Sequence, residues 1–310
     1  MIRHNDEPIQ SPSVYIQWSV MEAAKKEGIK VTLDGQGADE LAAGYPAYFS
    51  VYLAQLLREL KIKLFIKNFK DITSKTGEGR TTVSLLLRVI YILLPSSFLK
   101  LLAHIPFLRF FMKGNSLTSL INKNYSKNWI NSALDHQLLI KRESSSLKRR
   151  LRFDFFHLSL PALLRYEDRC SMAFSIEART PFLDYRLVEE VQNSPSEYLI
   201  KDGLSKSFIR DAVYRFIPPL VFDRSDKKGY PTPSSDWIDA SLDKIKSLFE
   251  GDCYVYKYID EENFKNLLSS KDIKFKGNEI WRIIFLELWF KEFFDKDAER
   301  DVFLKNKRFI

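Results

Sequence analysis

The sequence predicts an α/β chain that is mainly helical and carries only a short parallel sheet. Three observations support this: a helix that runs straight into an apolar strand near residue 30, a glycine-bearing turn directly after that strand, and helical periodicity over most of the remaining chain. The stretch Ile29–Tyr45, IKVTLDGQGADELAAGY, organises the rest. Its apolar run Val31–Leu33 reads as a buried strand, Asp34-Gly35-Gln36-Gly37 as the turn, and Asp39 and Glu40 as the opening of a helix. Such a join sets backbone N–H groups where an anionic ligand can sit. Gly35 and Gly37 are expected to allow positive φ and close backbone approach. Asp39 and Glu40 suit either an Mg²⁺ ion or the positive end of a helix. Spacing alone does not choose between a nucleotide site and a plain strand–turn–helix.

Taken in order, Ser11 and Pro12 mark a helix start, serine as N-cap and proline at the first helical position. Val14, Trp18, Met21 and Ala24 recur at helical spacing, and Gly28 closes the helix. The strand Ile29–Leu33 follows at once, the αβ step of a doubly wound sheet. A strand ending in a ligand turn is normally central and paired on both sides. Residues 47–175 read as mostly helical, with loops at Thr73–Arg80 and Lys113–Asn128, so few partners are visible downstream. A buried strand cannot leave its backbone unpaired. The expectation is that its partners lie upstream of Met1.

From Leu158 the pattern changes. Leu163, Tyr166, Cys170, Ala173, Phe174 and Glu177 fall on one helical stripe that ends before Thr180-Pro181. Arg165, Glu167, Asp168, Arg169, Glu177 and Arg179 crowd around it, as buried ion pairs or as a site for a charged substrate. Tyr198–Asp202 reads as extended and Ser205–Phe216 as a helix stopped by Pro218-Pro219. Asp223–Pro233, DRSDKKGYPTP, is a basic punctuated loop in which Lys227 or Lys228 could contact a phosphate. A helical run then begins at Trp237, and the closing segment EIWRIIFLELWFKEFF sets Trp281, Ile284, Phe285 and Leu288 toward a core.

Composition narrows the function classes. The net charge of +8 suits acidic ligands but is spread along the chain. Its densest cluster, Lys148-Arg149-Arg150-Leu151-Arg152, reads as a solvated helix face rather than a nucleic-acid footprint. Two cysteines, Cys170 and Cys253, and four histidines without ligand spacing argue against a disulfide framework or a zinc site and fit a reducing cytoplasm. The most apolar region, Val83–Met112, is broken by Arg88, Pro95, Lys100, Pro106 and Arg109, so buried helices are expected there rather than a membrane span.

Residues 31–45 (VTLDGQGADELAAGY), 161–184 (PALLRYEDRCSMAFSIEARTPFLD) and 226–233 (DKKGYPTP), with NDEPIQSPSV near the start and IWRIIFLELW near the end, resemble the synthetase domain of glutamine-dependent asparagine synthetase. The likeness spans nearly the whole chain and is weakest over residues 50–150. It implies an adenine nucleotide alpha hydrolase-like fold of the ATP pyrophosphatase type, arranged as a strand–turn–helix nucleotide site (1–50), a variable helical region (51–150) and a helical substrate and lysine-loop region (151–310). It also implies Mg-ATP-dependent adenylation of aspartate to β-aspartyl-AMP, which ammonia from glutamine converts to asparagine. Under the resemblance Asp34, Gly35, Gln36 and Gly37 bind ATP and Asp39 ligates Mg²⁺. Gln36 lies between ATP and substrate, Lys227 stabilises the charge built at phosphorus, and Asp168 and Arg179 shape the substrate end.

The departures are specific. The Ser-Gly-Gly-x-Asp-Ser pyrophosphate loop of the family is missing, since none of the 11 glycines is adjacent to another. The N-terminal glutaminase is missing too; residue 2 is Ile2. The chain is therefore expected to be the C-terminal part of a synthetase domain, working with a separate glutaminase and phosphate-loop portion, with a homodimer as one possible assembly. Gln36 stands where the best-studied members have glutamate. This leaves room for a related amidotransferase acting on another carboxylate, such as one on a surface sugar. The lost loop leaves room for a non-catalytic remnant.

Overall fold

The computed structural model of the chain describes residues 1–76, 79–95, 120–224, 232–270 and 276–295. The principal elements are α1 (Ser13–Lys26), β1 (Val31–Leu33), α2 (Ala38–Leu41), α3 (Ala47–Arg58), α4 (Ile62–Thr76), α5 (Gly79–Leu93), α6 (Lys123–Glu143), α7 (Leu147–Phe153), α8 (Leu160–Met172), β2 (Glu177–Arg179), α9 (Tyr185–Asn193), β3 (Ile200–Lys201), β4 (Leu204–Ser205), α10 (Ser207–Val213), α11 (Ser234–Ala240), α12 (Leu242–Leu248), α13 (Glu261–Leu268) and α14 (Gly277–Phe294). The chain is mainly helical, as the periodicity predicts, and no described helix is long and apolar enough to cross a membrane.

β1 and β2 form a parallel pair in the register Val31↔Glu177, Thr32↔Ala178, Leu33↔Arg179. This corrects two expectations. The helical stripe does not reach Glu177: α8 stops at Met172, and residues 177–179 are a strand. One partner of β1 therefore lies within the chain. The helix ends without a glycine signal because Ser175 takes the left-handed conformation, φ 57. Its N–H bonds Met172 O and the Ile176 N–H bonds Ser171 O, each at 3.0 Å, which closes a Schellman motif. α1 ends in the same motif with the expected Gly28 at φ 74, its N–H on Lys25 O and that of Ile29 on Ala24 O, both at 3.0 Å. Two helices with matching ends thus feed the two paired strands. β1 is not a buried central strand among the described residues: it pairs on one side, and Leu33 is 75% exposed.

Among the described residues, four apolar clusters hold the helices together. Val14, Trp18 and Met21 of α1 pack with Tyr166 and Cys170 of α8 and with Trp281 and Phe285 of α14, as their spacing predicts. Tyr48, Tyr52 and Leu56 of α3 meet Leu147 and Leu151 of α7 and Val191 of α9. The other face of α3 meets Leu85, Val89 and Ile92 of α5. Ile238, Phe249, Phe264 and Ile280 centre the C-terminal helices.

Several boundaries move. Helix occupies Thr73–Thr76 and Lys123–Asn128, inside both expected loops. Ser205 belongs to the β3–β4 hairpin, so α10 starts at Ser207, and α11 starts at Ser234 rather than Trp237. α1 begins at Ser13, one position past the expected proline start, although Ser11 Oγ does accept from Ser13 N–H at 3.3 Å. The described part of the apolar region, in α5, buries Leu85, Val89 and Ile92 but leaves Val83, Leu86, Leu87 and Ile90 exposed. The basic cluster is not a solvated face throughout. Arg150 Nε bonds both carboxylate oxygens of buried Asp154 at 2.9 Å. Lys148 turns inward to Val191 O, where burial pushes its ammonium down to about 8.

Candidate functional site

The carboxyl end of a parallel strand is where α/β sheets place ligands, and β1 ends in the predicted turn. The Asp34 N–H continues the ladder to Arg179 O at 2.7 Å, so the turn is anchored to the end of β2. Gly37 has φ 86 and serves as the N-cap position of α2. A Cβ on it would lie 2.2 Å from Leu183 Cδ2. Gly35 differs from the expectation: its φ is not positive, and a Cβ there would meet nothing within 4 Å. Its lack of a side chain leaves open space above the turn rather than relieving a clash.

The turn faces α8 and α1. Gln36 donates from Nε2 to Glu167 Oε2 at 2.9 Å, and Gln17 donates to the same oxygen. Asp34 Oδ2 accepts from Thr32 Oγ1 at 2.8 Å. Glu167 is 4% exposed, and its Oε1 meets no donor among the described residues. Burial pushes the Glu167 carboxyl up to about 7; the two glutamine donors oppose this, and the charge and hydrogen bonding of Asp34 reinforce it. The negative charge of Asp34 beside it favours the protonated form of Glu167.

One turn further on, Asp39 pairs with Lys206 at 2.7 Å. Lys206 sits at φ 58 just before α10, and its N–H bonds Ala42 O at 3.0 Å. Gly44 is required here, since a Cβ would lie 1.9 Å from Asp39 Oδ1. Glu40 turns away from the strand end; it is buried and accepts from Tyr45 Oη at 2.7 Å and Ser159 Oγ at 3.0 Å. A cavity of about 370 Å³ opens beside Tyr45 and Ser159, but none of the turn residues lines it.

The structure thus gathers Asp34, Gly35, Gln36 and Gly37 at one strand end, with the Arg179 backbone beside them and Asp39 one helical turn on. The Arg179 side chain is exposed and bound to Glu177 at 2.9 Å, and Asp168 is exposed on α8. Lys227 and Lys228 lie outside the described residues. Gln17 and Lys206 belong to the site and were not singled out by sequence, whereas Glu167 was named only as one of the polar residues around the stripe. Glu167 stands in the polar run at 165–169, but Gln17 lies 150 residues away from it and carries no local signal. Among the described residues no group of three acidic, histidine or cysteine side chains could hold a metal. Asp39 offers one carboxylate already facing Lys206, which fits Mg²⁺ only where phosphates and water complete the shell.

Residues 1–291 match the family described as asparagine synthase. Asparagine synthetase [glutamine-hydrolyzing] 1 of Bacillus subtilis is 24% identical over 293 residues, 93% of this chain and 44% of the relative. A putative asparagine synthetase [glutamine-hydrolyzing] of Mycobacterium tuberculosis is 26% identical over 249 residues, 76% of this chain and 34% of the relative. Amidase chyE of Penicillium rubens is 27% identical over 277 residues, 79% of this chain and 38% of the relative. The chain therefore spans less than half the length of each of these relatives. With the family match running through the strand, the turn and both helices that face it, the chain belongs to the asparagine synthase family.

Proposed function

We propose that this chain provides the carboxylate-activating part of an ATP-dependent amidation, with aspartate as acceptor, β-aspartyl-AMP as the activated form and ammonia drawn from glutamine. The observation that carries this reading is the family match across residues 1–291 together with the Asp34–Gly37 turn at the carboxyl end of β1. In this reading the open space at Gly35 admits the nucleotide. Lys227 supplies a cation where charge builds at phosphorus. Mg²⁺ on Asp39 would neutralise the pyrophosphate, with Lys206 holding the carboxylate in place. Asp168 and the Arg179 side chain lie toward the acceptor. A glutaminase and a phosphate-gripping loop come from a further portion of polypeptide, the assembly works in the cytoplasm, and a homodimer is one arrangement for it.

ATP–pyrophosphate exchange, measured with this chain joined to the portion its relatives carry, tests the proposal. Exchange that depends on aspartate supports it; no exchange with any carboxylate refutes it. A second reading is favoured by Gln36 and by two relatives named as amidases, chyE and chry2. In it the same chemistry acts on a different carboxylate, and exchange with that acceptor but not with aspartate selects it.

A further inference from the structure

Glu167 can accept hydrogen bonds but, when ionised, has none to give. Its Oε2 takes hydrogen bonds from Gln36 Nε2 at 2.9 Å and from Gln17 Nε2. Its Oε1 has no donor among the described residues, and the neighbouring carboxylate of Asp34 is a further acceptor. Turning the Gln36 amide over would set its carbonyl oxygen against Glu167. That would trade a charge-assisted hydrogen bond for a buried repulsion. While Glu167 is ionised, the nitrogen is therefore held inward. Gln36 Oε1 accepts no hydrogen bond among the described residues and is left at the half-exposed turn.

We propose that Glu167 is the positioning residue of this site: it fixes the Gln36 amide so that the turn presents a carbonyl oxygen, and that oxygen reads the protonated amine of an amino-acid substrate. An amine fits because Asp34 and Gln36 Oε1 are acceptors at the half-exposed turn, and the negative charge of the Asp34–Glu167 pair favours a cationic donor over a neutral one. The orientation of Gln36 is a property of this chain alone. The amine assignment rests on the amidation reading.

Side-chain amide resonances of the ¹⁵N-labelled chain test both, with those of Gln36 identified by their loss in Gln36→Glu. One Gln36 amide proton is expected downfield and protected from solvent. It should move with pH around the Glu167 titration near 7. Glu167→Gln should abolish the pH dependence and return the pair to solvent-like positions. Glu167→Asp, which keeps the acceptor one methylene further back, should restore part of the downfield shift. It also serves as the test should Glu167→Gln not fold. A solvent-like Gln36 pair in the wild-type chain, or one unmoved by either variant, overturns the positioning role. Aspartate should then move these resonances and succinate, its equivalent without the amine, should not. Equal responses, or none, overturn the amine assignment. Neither result depends on exchange activity, so failure here and failure of the amidation reading are read separately.

Discussion

Gly37→Ala and Gly35→Ala, one residue apart on either side of Gln36, separate backbone shape from open space. At Gly37 an alanine must adopt φ 86, a left-handed conformation that costs an L-residue about 1–2 kcal/mol. Its Cβ would also lie 2.2 Å from Leu183 Cδ2 and 3.1 Å from Leu183 Cγ. Displacing that side chain adds overpacking of about 1–3 kcal/mol. Gly37→Ala is thus expected to destabilise by about 2–5 kcal/mol, a large share of the stability of a typical domain. At Gly35 neither cost applies, and Gly35→Ala should stay within about 0.5 kcal/mol of wild type. Urea denaturation measures both, a change in midpoint at constant slope being a change in stability. Equal losses in the two variants, or a Gly37→Ala midpoint at the wild-type value, would refute this account of the turn. The same pair bears on function: Gly35→Ala fills the space assigned to the nucleotide and should weaken ATP binding in calorimetry without unfolding the chain.

Asp154→Ala removes the partner of Arg150 Nε, bonded to both its oxygens at 2.9 Å, and of Tyr48 Oη at 2.8 Å, all inside the core under α3. Stranding a buried charge costs about 3–5 kcal/mol, and a thermal midpoint unchanged from wild type would count against that network. Glu167 makes a second stability prediction. Its folded carboxyl is raised to about 7 from an ordinary value of 4.5, so the folded chain holds a proton that the unfolded chain has released. Stability should therefore fall as pH rises from about 4.5 to 7. The penalty, of order 3 kcal/mol, is complete above 7 and absent from Glu167→Gln. Parallel pH profiles for the two proteins would dismiss it. Lys227→Ala, in an assembly active in exchange, should slow adenylation far more than it weakens ATP binding. Its cost is on the order of 3 kcal/mol by comparison with oxyanion donors, and an unaltered exchange rate would take Lys227 out of the mechanism.

Local chemistry was legible wherever one residue announces it. Gly28 named the end of α1, Val14, Trp18 and Met21 named its buried face, and Asp34-Gly35-Gln36-Gly37 named the turn. The end of α8 was not legible, because Ser175 does there what glycine does at Gly28, and Glu177 falls in helical phase by coincidence. Missing that end hid β2, and with it one partner of β1. The basic cluster misled for a related reason: charge density does not say which way a side chain turns, and Arg150 and Lys148 turn inward to partners just past the end of α7 and on α9.

Sequence by itself determined a mainly helical α/β chain, a strand that ends in a glycine turn, and a family resemblance carried by motifs at both ends. Tertiary structure decided that β1 pairs with residues 177–179, that Asp39 faces Lys206, and that Gln36 meets a buried Glu167. The division has a physical basis. Helix ends, turns and apolar stripes are written within a few residues of one another, whereas the protonation and orientation of a site side chain depend on groups that the fold brings from 131 and 150 residues away.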